Sequence, residues 1–301
     1  MSRRGNDRGR GVRGAPRQAP LSAVLSDGRT AALRRREREW VLDVDGTPQS
    51  AIDPLDPTAL SFAYIRHMAQ AIDAVFPARR PLTALHLGAG ALTLPRYLEH
   101  SRPGSRQQVL ELEPALVELV RGVAPLPAGA SIRIRYGDAR RQLARLPRGL
   151  HGAADLVVVD VFAGPSTPAH VTSLEFFTEL AAFPAPGGLV LVNVADGREL
   201  RFARGCIAGL RETFGRTALI ADPGVLKGRR FGNIAAVASR EPVAFEGLPR
   251  LLAAGYPPAT LADDAQTLAW LRGARPVRDA QAVPSPVPGG NVFRIRREDG
   301  W

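Results

Sequence analysis

The most informative feature of this chain is the sequence Ala84-Leu-His-Leu-Gly-Ala-Gly90. An apolar run ends here in two glycines, which predicts a buried strand followed by a tight turn. Because glycine has no Cβ atom, such a turn lets a ligand lie against the backbone at the carboxyl edge of a parallel sheet. Leu92 stands where a third glycine would complete the dinucleotide-binding pattern, so the turn alone fits helix–strand packing equally well.

Around this turn, from Leu82 to Ala238, short apolar runs alternate with amphipathic segments. This alternation favours a parallel sheet with helices on both faces. The predicted strands are Thr83–Leu87, Gln107–Leu110, Ile132–Tyr136, Leu156–Val159, Leu189–Val194, Thr217–Ile220 and Asn233–Ala238. The predicted helices are Leu92–Glu99, Pro114–Val123, Arg140–Leu146, Ser173–Phe183 and Leu200–Phe214. Seven strands with a late Gly187-Gly188 turn indicate an α/β, Rossmann-like sheet of the class I S-adenosylmethionine-methyltransferase type.

Acidic residues follow two of the predicted strands next to the glycine turn. Glu111 lies 23 residues beyond Gly88, where a carboxylate can accept hydrogen bonds from both ribose hydroxyls. Gly137-Asp138 follows the next strand, where a carboxylate can accept from an adenine amino group. Each acid has a structural alternative, because acids stabilise helix N-termini and Asp138 is placed to cap the next helix. We assign Glu111 to ribose, Asp138 to adenine and Glu113 to helix capping.

Asp160 ends the apolar run Leu156-Val-Val-Val-Asp160, so an acid lies at the carboxyl edge of a central strand. A buried acid is costly unless it has a partner or a function. We predict that Asp160 orients or deprotonates an attacking amine. The alternative is that it caps its own loop through Gly164.

Two smaller parts flank the sheet. A small N-terminal β lobe is predicted over residues 21–58, with hairpin turns at Asp27-Gly28 and Asp45-Gly46. Asp56-Pro57 predicts the start of a helix. The apolar face of that helix comprises Ile65, Met68, Ile72 and Val75. The Rossmann-like nucleoside-binding domain is predicted over residues 59–240, C-terminal helices over 241–278 (near Leu248–Ala254 and Ala262–Arg272), and a poorly ordered tail over 279–301.

The charge of this 301-residue chain is concentrated at its start. The formal net charge is +11, and the first twenty residues contain six arginines and one aspartate. Residues 1–20 are also rich in glycine and proline, so they are predicted to be disordered because they have little apolar surface to bury. A solvated tail is the favoured interpretation, and RNA contact through this tail is the alternative.

The remaining composition indicates a cytoplasmic protein without metal. Cys206 is the single cysteine, which excludes an internal disulfide and a cysteine-based metal site. The five histidines show no useful ligand spacing, and His170 receives no role. No apolar run approaches the roughly 18 residues of a membrane-spanning helix, and no signal-peptide core follows the arginine-rich start. We therefore expect neither export nor a membrane partner.

The motifs together resemble the spermidine synthase (polyamine aminopropyltransferase) family over roughly Leu21 to Ala238. A lead-in strand ends in Gln49, and Phe62-Ala-Tyr64 with Met68 is similar to an aromatic helix motif of that family. The glycine turn and the three carboxylates then follow in the family's order and spacing.

This resemblance implies aminopropyl transfer from decarboxylated S-adenosylmethionine to an amine, with methylthioadenosine as product. Gln49 and Glu111 would hold the nucleoside beside Gly88 and Gly90. Asp138, with Gly137, would hold the adenine. Asp160 and Tyr64 would position and deprotonate the amine. A homodimer, common in the family, is also implied.

Three segments depart from the family pattern. Ala91 and Ala163 stand where the family has acids that meet ammonium groups, and the acceptor loop is replaced by residues 221–230, which contain Lys227 and Arg229. If these two cations face the site, they would oppose a polyamine acceptor. The acceptor therefore stays unknown. The alternatives are an S-adenosylmethionine-dependent methyltransferase and a noncatalytic binding or scaffold protein on the same fold.

Overall fold

The computed structural model describes residues 21–288. The predictions for residues 1–20 and for residues 289–301 lie outside this range. Within it, no helix combines the length and the apolar character needed to cross a membrane.

The N-terminal lobe is an antiparallel meander of four strands. The strands are β1 (Ser22–Val24), β2 (Thr30–Arg36), β3 (Glu39–Val44) and β4 (Thr47–Ile52). The two hairpin turns lie where the sequence predicts them. At the second turn Asp45 and Gly46 both have positive φ angles, of 48° and 76°, the conformation that a two-residue hairpin of this hand needs.

The main sheet has eight strands in the described part of the chain, in the order β12-β10-β11-β9-β8-β5-β6-β7. They are β5 (Thr83–Leu87), β6 (Arg106–Glu111), β7 (Ser131–Tyr136), β8 (Ala154–Val159), β9 (Pro184–Asp196), β10 (Arg216–Ala221), β11 (Gly232–Ser239) and β12 (Thr260–Ala262). Strands β5 to β9 are mutually parallel. Strand β11 pairs with β9 in the antiparallel sense. All seven predicted strands are present and the predicted fold class is confirmed; the additional strand β12 is too short to leave a sequence pattern.

Nine α-helices accompany the strands within residues 21–288. They are α1 (Ala63–Val75), α2 (Thr93–Ser101), α3 (Pro114–Val123), α4 (Ala139–Leu143), α5 (Leu174–Leu180), α6 (Arg201–Phe214), α7 (Pro223–Leu226), α8 (Leu248–Ala254) and α9 (Asp264–Leu271). The predicted helix start at Asp56-Pro57 is wrong. The Asp56 carboxylate instead accepts from the backbone N–H and the hydroxyl of Thr58, which closes a local turn, and α1 begins only at Ala63.

Both faces of the main sheet are buried, as the continuous apolar strands require. Leu87 and Val159 point to the face covered by α5 and α6. Leu156 and Val158 point to the opposite face, covered by α1 and α2. The carboxyl ends of the parallel strands lie at one edge of this buried sheet.

The lobe packs beside that edge of the sheet. Leu33 and Leu42 of the lobe share a hydrophobic cluster with Leu116 and Leu119 of α3. The backbone N–H of Ser26 donates to Glu113 over 2.9 Å. The lobe therefore covers the region where the glycine turn ends β5.

The segment after α9 also packs against the main body, which its composition did not predict. The Leu174 N–H donates to the Val277 carbonyl at the start of α5, over 2.8 Å. Further along, the Ser285 hydroxyl accepts from the Thr167 N–H over 2.8 Å. This segment borders the loop that follows β8.

Candidate active site

A cavity of about 200 Å³ lies at the carboxyl ends of the central strands, between the main sheet and the lobe. Seven of the eight residues predicted for the site line it: Gln49, Tyr64, Gly88, Gly90, Glu111, Asp138 and Asp160. Gly137 precedes the lining residue Asp138. Strands that are far apart in sequence therefore bring the predicted residues to one place.

The glycine turn has a direct packing function. Gly88 has a φ angle of +93°, and a Cβ atom on it would lie 2.1 Å from the carbonyl oxygen of Asp160. Gly90 has a φ angle of +48°, and its Cβ atom would meet Ser50 at an ordinary 3.5 Å. Gly88 is thus required for the β5 and β8 ends to approach each other, whatever ligand binds beside them.

Glu111 organises the turn next to it. One carboxylate oxygen accepts from the Ala89 N–H over 2.8 Å, and the other accepts from the Glu113 N–H over 2.9 Å. Burial raises the pKa of Glu111 above its usual value, while these backbone N–H groups act in the opposite direction. A carboxylate has further lone pairs, so ribose hydroxyls can still be accepted.

The prediction that Glu113 caps a helix is wrong for its side chain. Glu113 occupies the N-cap position of α3 but makes no side-chain capping bond. Its carboxylate accepts from the N–H and the hydroxyl of Ser26 instead. The residue joins the lobe to the main sheet, a contact that spans 87 positions of sequence.

Asp138 combines a structural contact with a position in the cavity. One carboxylate oxygen accepts from the Arg141 N–H and so caps α4. The other lies 2.7 Å from Nε2 of His170. His170 lines the same cavity, although no role was assigned to it from the sequence. Asp138 and His170 thus form one polar group on the cavity wall.

A hydrogen-bonded cluster surrounds Asp160. One carboxylate oxygen accepts from the Tyr64 hydroxyl over 3.1 Å, and the other accepts from the Asn193 amide over 2.9 Å. Burial raises the pKa of Asp160, and the two donated hydrogen bonds act against that shift. Burial and the nearby carboxylate both raise the pKa of Tyr64. Asp160 is therefore bound to these two side chains and does not cap its loop.

Asn193 was not predicted, although a signal for it exists. It is a buried amide inside the apolar strand β9, and a polar residue in such a strand requires a partner. Val192 pairs with Val159 across the sheet, so the next residues, Asn193 and Asp160, meet at the end of that pair.

Charged residues from other segments have distinct positions. The Arg29 guanidinium pairs with Asp27 at 2.6 Å and lies close to Gly164, on the loop after β8. Lys227 and Arg229 are exposed and do not line the cavity. These two cations therefore do not repel a polyamine from the wall of this cavity.

Metal ligands do not converge anywhere in the described range. Between residues 21 and 288, no three His, Cys, Asp or Glu side chains form a group that could hold an ion. Independence from metal stays a prediction.

A mixed sheet with five parallel strands, a glycine turn and strand-end carboxylates around one cavity defines the class I methyltransferase-like class of α/β proteins. No family model matches the chain. The structure is similar to that of a probable spermidine synthase from Corynebacterium glutamicum ATCC 13032, with 32% sequence identity, a TM-score of 0.78, and coverage of 85% of this chain and 95% of that one. The chain belongs to the spermidine synthase-like family.

Two more distant similarities are found, one in sequence and one in fold. A polyamine aminopropyltransferase from Vibrio vulnificus (strain CMCP6) is 25% identical over 122 residues, which span 40% of this chain and 40% of that relative's length. A spermidine synthase solved in complex with the transition state analogue AdoDATO has a TM-score of 0.54 at 13% identity, with coverage of 77% of this chain and 76% of that one. The latter similarity concerns the fold.

Proposed function

We propose that the chain transfers the aminopropyl group of decarboxylated S-adenosylmethionine to an amine. The observation that carries this proposal is the Tyr64–Asp160–Asn193 cluster, which meets the cavity that contains Glu111. A buried carboxylate with a raised pKa suits a general base for an ammonium group. The names of the similar proteins support the same class of reaction.

In the proposed complex the nucleoside occupies the cavity of about 200 Å³ between the main sheet and the lobe. Glu111 and Gln49 would accept from or donate to the ribose hydroxyls, and Asp138 would accept from the adenine amino group. The sulfonium carbon chain would then point toward Asp160. Holding both reactants in one orientation supplies much of the rate enhancement in such displacement reactions.

The displacement itself needs a neutral amine. One proton of the bound ammonium passes to Asp160. The nitrogen lone pair then attacks the aminopropyl carbon that is bonded to sulfur. A carbon–nitrogen bond forms while the carbon–sulfur bond breaks, and its electron pair stays on sulfur as neutral methylthioadenosine. Ala91 and Ala163 provide no carboxylates for further ammonium groups, so we propose that polyamine binding is weakened in this chain.

Calorimetric titration with decarboxylated S-adenosylmethionine, S-adenosylmethionine and methylthioadenosine tests the nucleoside site. We expect micromolar binding of the decarboxylated form, and a loss of about 10- to 100-fold in Glu111→Gln and Asp138→Asn, since each removes a charged acceptor. Glu118→Gln, an exposed acid on α3, is the matched control and should bind normally.

The outcomes separate the alternatives. Preference for S-adenosylmethionine, with methyl transfer, would replace aminopropyl transfer by the methyltransferase interpretation. Absence of binding by all three ligands would contradict both enzymatic functions and favour a noncatalytic protein on this fold.

A further inference from the structure

A second, smaller cavity adjoins the Asp160 cluster. Its volume is about 30 Å³, room for about two water molecules by the usual criterion of one probe sphere each. Gln49, Tyr64 and Phe162 line both cavities. The smaller cavity therefore opens from the same place at which the nucleoside chain would end.

The wall of the smaller cavity contains no charged side chain among the residues described. It combines the aromatic rings of Phe62 and Phe162 with the amides of Gln49 and Asn233. An isolated charge is costly in such surroundings, because transfer from water is not compensated by an opposite charge. The cavity thus favours an uncharged group beyond the reacting nitrogen.

Asn193 gives this cavity a specific hydrogen-bond acceptor. The residue is 3% exposed, and its amide nitrogen donates to Asp160. Its Oδ1 atom is buried without a hydrogen-bond partner in the described structure, which is unusual for a buried acceptor. Asn193 also lines the smaller cavity. A ligand N–H placed there would satisfy this oxygen.

The charge at the cluster matches one ammonium group. Asp160 is the acid of the cluster, and both of its oxygens already accept from protein donors. One carboxylate can balance one positive charge, and the uncharged wall offers no second carboxylate. The structure thus limits the number of ammonium groups as well as the position of the nitrogen.

We infer that the acceptor is a small primary monoamine whose remainder is neutral, and that Asn193 Oδ1 accepts from its reacting nitrogen. This inference rests on the proposed aminopropyl transfer and specifies its acceptor. The aromatic rings contact the hydrocarbon part of the amine, while Asp160 takes one proton from the ammonium. The neutral nitrogen then attacks the aminopropyl carbon next to sulfur, and the carbon–sulfur bond breaks to release methylthioadenosine.

Ethylamine and 1,2-diaminoethane form a matched pair, because they differ only in the second amino group and their two carbons match the volume of the smaller cavity. Binding of each amine is measured by calorimetry on protein saturated with methylthioadenosine, at a pH at which both amino groups of the diamine are protonated, and turnover is measured as methylthioadenosine release from decarboxylated S-adenosylmethionine. We expect ethylamine to bind at least 10-fold more tightly and to show at least 10-fold higher kcat/KM. Equal binding, tighter binding of the diamine, or binding of neither amine would overturn the inference.

Two variants test the named residues. Asn193→Ala should raise KM for ethylamine at least 10-fold while calorimetric binding of the decarboxylated nucleoside stays normal. Asn233→Asp adds a carboxylate to the wall and should shift preference at least 10-fold toward the diamine. An unchanged preference in Asn233→Asp would contradict the role of wall charge, and unchanged kinetics in Asn193→Ala would contradict the role of Oδ1.

The two failures are distinguishable. If neither amine releases methylthioadenosine although the nucleoside binds, the proposed function fails. The amine-binding comparison still decides which acceptor the cavity accommodates, because it needs no turnover.

Discussion

At the scale of single residues, the state of Asp160 depends on its surroundings. Burial favours the neutral carboxyl group, whereas the Tyr64 hydroxyl and the Asn193 amide favour the carboxylate. The balance leaves the pKa above that of an ordinary aspartate. A base of this kind lies closer to the working pH, where proton transfer is most effective.

Removal of the carboxylate should abolish most of the proposed activity. We expect Asp160→Asn to lower kcat by roughly 10²- to 10⁴-fold, the usual contribution of a general base. The variant keeps the size of the side chain, so calorimetric binding of the nucleoside should persist. Full activity of Asp160→Asn in the methylthioadenosine assay would exclude this residue as the base.

The pH profile should respond to Tyr64. Activity needs ionised Asp160, so it falls as the pH drops through the raised pKa of that group. Tyr64→Phe removes a hydrogen bond that lowers this pKa, and the acidic limb of the kcat profile should therefore move to higher pH. A limb that stays in place would show that another group controls it. Tyr97→Phe, a tyrosine on α2, is the control.

At the scale of elements, close contacts between strand ends set the shape of the site. The β5 turn and the end of β8 approach so closely that the backbone itself fills the space at Gly88. The geometry of Asp160 is thus coupled to a glycine in another strand.

The glycine contact predicts a large loss of stability. Gly88→Ala must strain a left-handed backbone and displace the Asp160 carbonyl, so we expect a loss of about 3 kcal/mol in the free energy of unfolding. Gly129→Ala is the matched control, because Gly129 has a φ angle of +84° but nothing within 4 Å of its Cβ position. Its loss should be about 1 kcal/mol. Urea unfolding measures both, and equal losses would contradict the steric explanation.

Arg102 provides a second test at this scale. The side chain is 1% exposed; it pairs with Asp73 of α1 at 2.8 Å and donates to the Phe76 carbonyl over 2.9 Å. Arg102→Met should destabilise the protein by about 2 kcal/mol, because it leaves the buried Phe76 carbonyl without its guanidinium donor and removes an ion-pair partner of the exposed Asp73. Arg106→Met changes an exposed arginine and should have little effect. A small loss for Arg102→Met in urea would contradict a stabilising role of this ion pair between α1 and the end of α2.

At the scale of the whole molecule, Arg140 joins segments that are distant in sequence. Its guanidinium pairs with Glu179 of α5 and with Asp279, beyond α9, and it also donates to the His170 carbonyl. Arg140 itself lies on α4. This side chain thus helps to hold the segment after α9 next to the cavity that His170 lines.

Arg140→Gln should cost about 1 kcal/mol at neutral pH, since it breaks charged hydrogen bonds that the exposure of Glu179 and Asp279 to solvent weakens. Arg140 lowers the pKa of Asp279 below the usual 3.8. That contribution is present above pH 3.8 and is lost as the pH falls through the lowered value. The stability difference between wild type and variant should therefore shrink in acid. Urea unfolding at several pH values measures it, and a constant difference would contradict the ion-pair explanation.

Much of the fold follows from local sequence patterns. The bounds of β5, α3 and α8 agree with those predicted, because apolar periodicity and the proline at the start of α3 act within a few residues. The predicted start of α1 was wrong because its signal is ambiguous. Asp56-Pro57 is typical of a helix start, but the same aspartate can also close a turn. Short β12 lacks any periodic pattern, so only its pairing with β10 defines it.

The sheet, the glycine turn and the acids at the strand ends could be predicted from local sequence, since each depends on neighbouring residues. Which of these groups meet depends on the tertiary structure. Tyr64 and Asp160 are 96 positions apart, and Asn193 lies 33 positions beyond Asp160. Strand order and register set such distances, and no local pattern encodes them. The uncharged cavity beside Asn193 is likewise not encoded by a local pattern, because a cavity exists only where packed elements leave space.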